Sequence, residues 1–308
     1  MKKLNRLSYR FEGMCIITAT VEQVSGTNIF VCAIDGGKQI VIYSNTVETP
    51  VPNNTMVLPV PNPDSVGFIN LKHYQTFFKD CADSFSIPRE SNYLMRSSCS
   101  SALPSESILP VYNVGSYNVS VVPNVTEFHR LDPAYFTIDP YIPNTLHKQY
   151  DSSFGFIICK LRKGQHSYHP LAYTHQIHQD RLLFVPTYHI HPDGTYPQEP
   201  ETHADWDHSI YTVETDMEED GSRRQFDGWA LKWNKLPSEL HWIQKHRGHK
   251  WTCKGQKKNR DIWLRNYKDF HPPENRIRYQ EGDERRTELV FFNKSGLTNL
   301  RKHFRGDR

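Results

Sequence analysis

The sequence predicts an α+β protein: a mostly antiparallel β-sheet or sandwich core, three or four helices, and a basic C-terminal region. Three observations lead there. Runs rich in Val, Ile, Thr and Phe, separated by Gly and Asp turn signals, crowd the first 70 residues and return at 154–161 and 181–191. These runs follow one another instead of alternating strictly with helical segments, as a parallel α/β sheet would require. The 16 Tyr, 16 Phe and 6 Trp among 308 residues supply a large core in a chain whose mean hydropathy is only −0.67.

Each element has its own signal. Residues 15–24, 28–34 and 39–47 read as strands, with Gly26 and Asp35-Gly36-Gly37 as hairpin turns. Residues 56–63 are extended, because their prolines cannot continue a helix and suit a sheet edge. Asn70 is a helix N-cap by type. Leu71, Tyr74, Phe77, Phe78, Cys81 and Phe85 follow at helical spacing, which predicts an amphipathic helix over 71–84. The Ser-rich stretch 86–107 has no period and reads as a surface loop. Strand character returns over 108–124, a short helix opens at Thr126, and 154–161 is apolar enough for a central strand. Residues 169–177, 181–191, 209–215 and 228–236 read as further strands, and 237–246 and 295–304 as helical. No repeat of 20–50 residues is visible.

Composition suggests a β-rich main domain over 1–215, an acidic and polar linker over 216–227, and a basic region over 228–308 packed on the main domain. The net charge of +3 conceals this asymmetry: residues 241–308 carry 18 Lys/Arg against 8 Asp/Glu, so the rest of the chain is net negative. Between 241 and 267, lysines and arginines are interleaved with Trp242, Trp251 and Trp263, a pattern that suits phosphate attraction and base stacking. It is equally the pattern of a solvated basic face. No run of 18 apolar residues exists, so no membrane-spanning helix is expected. The N-terminal stretch makes a poor signal peptide, since Glu12 interrupts a short apolar run. Six singly placed cysteines do not make a disulfide framework, and a cytoplasmic protein with reduced thiols is expected.

The concentrated chemical signal is histidine. Nine of the 16 histidines fall within 147–208, where an even spread would place about three. In a strand, His189 and His191 project from one face. The turn Pro192-Asp193-Gly194 follows, and then His203-Ala204-Asp205-Trp206-Asp207-His208. If the strands on either side of that connection pair, His189, His191, Asp193, His203 and His208 could converge on Zn²⁺ or Fe²⁺, with His169 or His175 contributing. The expected activity is then metal-assisted hydrolysis of a small-molecule substrate. Asp205 or Asp207 would be the base, and at most one of the two would face the site. Residues 189–194 overlap three positions of the H-x-H-x-D-H motif of metallo-β-lactamase-like hydrolases. Gly194 stands at the fourth ligand and the strand–helix alternation is missing, so the overlap assigns no family.

Two further readings belong to other classes. Cys15 opens the first strand; carried at a processed N-terminus it would be the nucleophile of an N-terminal-nucleophile amidohydrolase. Alternatively, the protein is a non-catalytic structural or polyanion-binding molecule that uses its basic C-terminal region. His246, His249 and Cys253 have zinc-like spacing but lack a fourth partner.

Overall fold

The computed structural model describes residues 15–85, 108–178, 182–190, 202–213, 229–246 and 248–264. Strand β1 is Ile16–Ile17, β2 Gln23–Ile34, β3 Lys38–Thr49, β4 Thr55–Pro61 and β5 Gly67–Asn70, and helix α1 is Phe77–Ser84. A hairpin of β6 (Tyr112–Val114) and β7 (Tyr117–Val122) leads through a 3-10 segment, Val125–Arg130, to helix α2 (Tyr141–Gln149). Next come β8 (Phe154–Lys160), β9 (Gly164–Ser167), β10 (Leu171–Gln176), β11 (Leu183–Val185) and β12 (His203–Val213). After 3-10 turns at Trp233–Lys235 and Ser238–Lys245, β13 (Gly248–Lys258) and β14 (Ile262–Leu264) close the described chain.

The strands form two large sheets and a small one. The first runs β1-β4-β8-β7-β6, antiparallel throughout. The second runs β13-β12-β2-β3-β10-β5, with β9 also on β3; only the β12–β2 pair is parallel. Strands β11 and β14 pair with each other. The class is α+β with mostly antiparallel sheets, as the sequence predicts.

Strand parity explains the layering. Side chains alternate between the two faces of a strand, so a strand apolar at every position is buried on both sides. In β2, Ile29 and Val31 enter a core between the two large sheets, whereas Phe30 and Cys32 enter a core on the outer face. In β3, Val41 and Tyr43 face inward and Ile40 and Ile42 outward. In β8, Ile157 and Cys159 meet the inter-sheet core while Phe156 and Ile158 face the other way. Helix α1 covers the outer face of the second sheet with Phe77, Phe78 and Cys81, aided by Trp229, Leu231, Leu240 and Ile243. Helix α2 covers the outer face of the first sheet with Ile142 and Leu146. The order is therefore cover, sheet, sheet, cover.

Several elements depart from expectation for local reasons. Gly26 is a β-bulge inside one long strand instead of a hairpin turn: its φ is 61° and the register shifts between Ser25 and Asn28. Helix α1 begins only at Phe77, because Asn70 accepts from Lys72 N at 2.9 Å and spends its side chain in a turn. Residues 203–208, expected as a loop, are the first half of β12. Residues 229–236 form no strand; they cover the second sheet. Helix α2 and strand β13 were not expected. The loop 86–107, the linker 216–227 and the helix 295–304 lie outside the described residues.

Candidate functional site

Strand β12 decides where the expected site residues go. Ala204, Trp206 and Ile210 enter the inter-sheet core, and His208, on the same face, is 1% exposed. His203, Asp205 and Asp207 occupy the alternate positions and so share the opposite face. Two residues of equal parity cannot point apart, so the expectation that only one of Asp205 and Asp207 could face a site shared with His208 is corrected: neither does. Asp207 Oδ2 accepts from Gly26 N at 2.9 Å and closes the bulge of β2. Lys254 is its cross-strand neighbour. His203 is exposed, opposite Lys258.

His189 does come near His208. It lies in the extended segment after β11, whose Ile190 forms a parallel bridge with Ile16. The His189 and His208 ring centroids are 6.2 Å apart, Trp206 is 5.0 Å from His208, and His189 is 6.4 Å from Trp206. The backbone of His189 is clamped by Asn259, which accepts from His189 N at 2.8 Å and donates to His189 O at 3.0 Å. His191 and Asp193 lie outside the described residues. Burial alone pushes the His208 imidazolium down to a pKa of about 3, so the ring is neutral. Among the described residues, neither His208 nitrogen nor Trp206 Nε1 has a hydrogen-bond partner.

The other two histidines considered as ligands hold structural posts. His169 Nε2 accepts from Ser116 N at 2.8 Å, and Nδ1, 2.9 Å from Pro170 O, must carry the proton. Both of its nitrogens are spent joining the β6–β7 turn to the start of β10. Gly115, at φ 63°, lies so close that a Cβ would strike the His169 ring. His175 Nδ1 faces Gln176 O at 2.8 Å and is likewise the protonated nitrogen.

Among the described residues, no group of three or more His, Cys, Asp or Glu side chains could hold a metal ion. That finding, and the parity that separates His208 from Asp205, Asp207 and His203, overturn the metal-dependent hydrolase reading. Cys15 is corrected too. It is 4% exposed within the inter-sheet core, its Sγ accepts from Asn45 Nδ2 at 3.5 Å, and burial drives its thiol pKa far up. A neutral, enclosed thiol is not a nucleophile. The polyanion reading fails on the same parity. In β13, Trp251 packs against the inter-sheet core while Lys254 and Lys258 are exposed. Trp242 packs against the outer core of the second sheet, and Trp263 lies 4.9 Å from Phe184 and 6.1 Å from Phe154. The aromatic partners that base stacking requires face inward.

Two features escaped the sequence reading. The first is Asp261, buried, which accepts from Tyr150 Oη at 2.6 Å, Thr187 N at 2.7 Å and Tyr188 N at 2.9 Å. Burial raises its pKa to about 6, against the lowering effect of those hydrogen bonds. An acidic residue directly before the apolar run Ile262-Trp263-Leu264 was the available signal. The second is a surface where two outermost strands meet. Among the described strands, β5 pairs only with β10 and β6 only with β7, so each has an open edge. Phe68 of β5 and Tyr112 of β6 bring their rings to 5.9 Å across these edges. Tyr112 is 41% exposed, and Ile108, in the segment leading into β6, is 63% exposed. A separate cleft of about 320 Å³ opens between Asn124–Thr126 and His147–Ser152; none of the expected site residues lines it.

What the described residues define is an α+β two-sheet sandwich with helical covers. No family model matches the chain. Among solved structures it is similar to baculovirus P35, at 15% identity over 82% of this chain and 99% of that one, with a TM-score of 0.45. It is similar to a mutated baculovirus P35 after caspase cleavage (12%, covering 79% and 97%, TM-score 0.42) and to a chain of the caspase-8/P35 complex (14%, covering 79% and 96%, TM-score 0.41). These are similarities at low identity, and activity is argued from the residues themselves. No helix among the described residues is long and apolar enough to cross a membrane.

Proposed function

We propose that this protein acts by binding another protein, without catalysing a reaction upon it, through the surface where β5 and β6 lie side by side. The observation that carries the reading is the pair of strand edges left open among the described residues and bearing the Phe68–Tyr112 contact, with Ile108 exposed in the segment that leads into β6. Exposed apolar residues scattered singly are ordinary on any surface. Here an aromatic pair accompanies backbone N–H and C=O groups that, among the described residues, have no strand on one side, and such edges recruit extended segments of other chains. Aromatic side chains in this setting anchor interfaces.

Caspase-8 is the first protein to test, because it is the partner recorded with P35. The purified chain is mixed with caspase-8 at ~10 μM, where even a modest affinity populates a complex, and co-elution and cleavage of a fluorogenic peptide are followed. Co-elution is expected. Ile108→Glu with Tyr112→Glu should weaken the complex by roughly tenfold or more, with little change in thermal midpoint. If no complex forms, caspase-8 is not the partner. If a complex forms and the double variant leaves it intact, this surface is not the binding face.

A further inference from the structure

Among the buried polar atoms that have no partner among the described residues, one donor and one acceptor stand two residues apart on a single strand. Tyr173 and His175 are two residues apart on β10 and therefore share a face. Both are 0% exposed. Their rings lie nearly parallel, at 27°, with centroids 6.1 Å apart. The bond between His175 Nδ1 and Gln176 O fixes the tautomer, since a carbonyl accepts only from a protonated nitrogen. His175 Nε2 is thus a bare lone pair. Among the described residues, neither it nor the Tyr173 hydroxyl has a hydrogen-bond partner.

We propose that one ordered water molecule is a fixed part of this core, accepting from the Tyr173 hydroxyl and donating to His175 Nε2. An apolar surrounding would leave two buried polar groups desolvated and unmet, which native cores avoid. One water answers both, because it can accept and donate at once, and buried waters serve this purpose in folded domains. Charge argues against an ion. Burial holds His175 neutral and pushes the Tyr173 hydroxyl well above its usual range, so it keeps its proton. The pair offers a cation no negative group, and the bare lone pair repels an anion. The water's second hydrogen remains for a further acceptor, and Tyr173 already feels the Asp261 carboxylate electrostatically.

The test is a high-resolution crystal structure of the full chain together with thermal unfolding of Tyr173→Phe. A density peak within hydrogen-bonding distance of both atoms is expected. In the variant the water loses a partner and the midpoint should fall by about 2–4 °C. A core with no such peak overturns the proposal. So does a midpoint that rises in Tyr173→Phe, because deleting a truly unsatisfied hydroxyl stabilises. Should the variant fail to fold, ¹⁵N shifts of His175 in the wild-type protein decide the matter: an Nε2 shift typical of a hydrogen-bonded acceptor supports the water, and that of a free lone pair removes it.

Discussion

Asp261 shows how much one side chain can organise. Its carboxylate receives the hydroxyl of Tyr150, at the end of α2, and the amides of Thr187 and Tyr188, in the segment after β11. It stands just before β14, so three stretches of chain distant in sequence meet on two oxygens. Nearby, Thr187 Oγ1 donates to Arg260 O at 2.9 Å, which ties the same two segments again. Asp261→Ala strands two amides and a hydroxyl in a buried setting, at about 1–3 kcal/mol for each donor left unmet. Tyr150→Phe removes only the hydroxyl. Urea unfolding should therefore show a loss for Asp261→Ala of at least twice that for Tyr150→Phe; equal losses would mean that the backbone contacts contribute nothing. The histidines teach the complementary lesson at this scale. His189 and His208 do come near each other, but not through the strand pairing the sequence suggested: β11 pairs with β14, and β12 with β2 and β13. The failure of a metal site was legible in the even and odd numbering of His208 against His203, Asp205 and Asp207, provided that 203–208 is read as strand. Taking that stretch for a loop concealed it.

Elements were readable where the hydrophobic pattern was dense and hidden where packing overrode propensity. Strands β2, β3 and β8 announce themselves as apolar runs because each faces a core on both sides. Strand β13 does not, since its exposed lysines mask the inward Trp251 and Cys253. Lysines on an outermost strand also discourage pairing with other chains, which fits the position of β13 at the sheet's edge. Helix α2 contains Pro143, Asn144 and Thr145, poor helix formers, and is held by the docking of Ile142 and Leu146. Residues 229–236 alternate like a strand yet serve as cover, with Trp229 6.1 Å from Phe30. Gly248 is part of that arrangement, because a Cβ there would strike the Trp229 ring. Phe77 is the pivot of the cover as a whole: fully buried, it meets Phe30, Tyr74 and Phe78 edge-on at 6.1, 5.6 and 5.1 Å. Phe77→Ala should cost about 3–5 kcal/mol by chemical denaturation. A loss below about 1 kcal/mol would mean that α1 is not anchored through this ring.

For the whole molecule, the buried histidines set a dependence on acid. Burial lowers the folded-state pKa of His208 to about 3 and of His175 to about 4, from an ordinary 6.5. His169 is pushed in the same direction, chiefly by burial. A histidine with a depressed folded pKa favours folding above its unfolded pKa, and that contribution declines as pH falls below 6.5, because the unfolded chain takes up the proton and the folded chain does not. Asp261 acts the opposite way. Its folded pKa, raised from 3.8 to about 6, makes the folded state the better proton acceptor between those values, so it offsets part of the loss as pH falls through 6. The histidines outnumber it, and stability should drop from pH 6.5 towards pH 4, each uncompensated proton shifting the folding equilibrium by roughly tenfold per pH unit. His208→Leu separates the contributions. It removes one of the two large histidine terms while leaving Asp261 in place, so the slope of urea midpoint against pH should become visibly shallower below pH 6. If the slope is unchanged, His208 is not carrying its proton deficit in the folded state. If it instead steepens, the sign assigned to the buried imidazole is wrong.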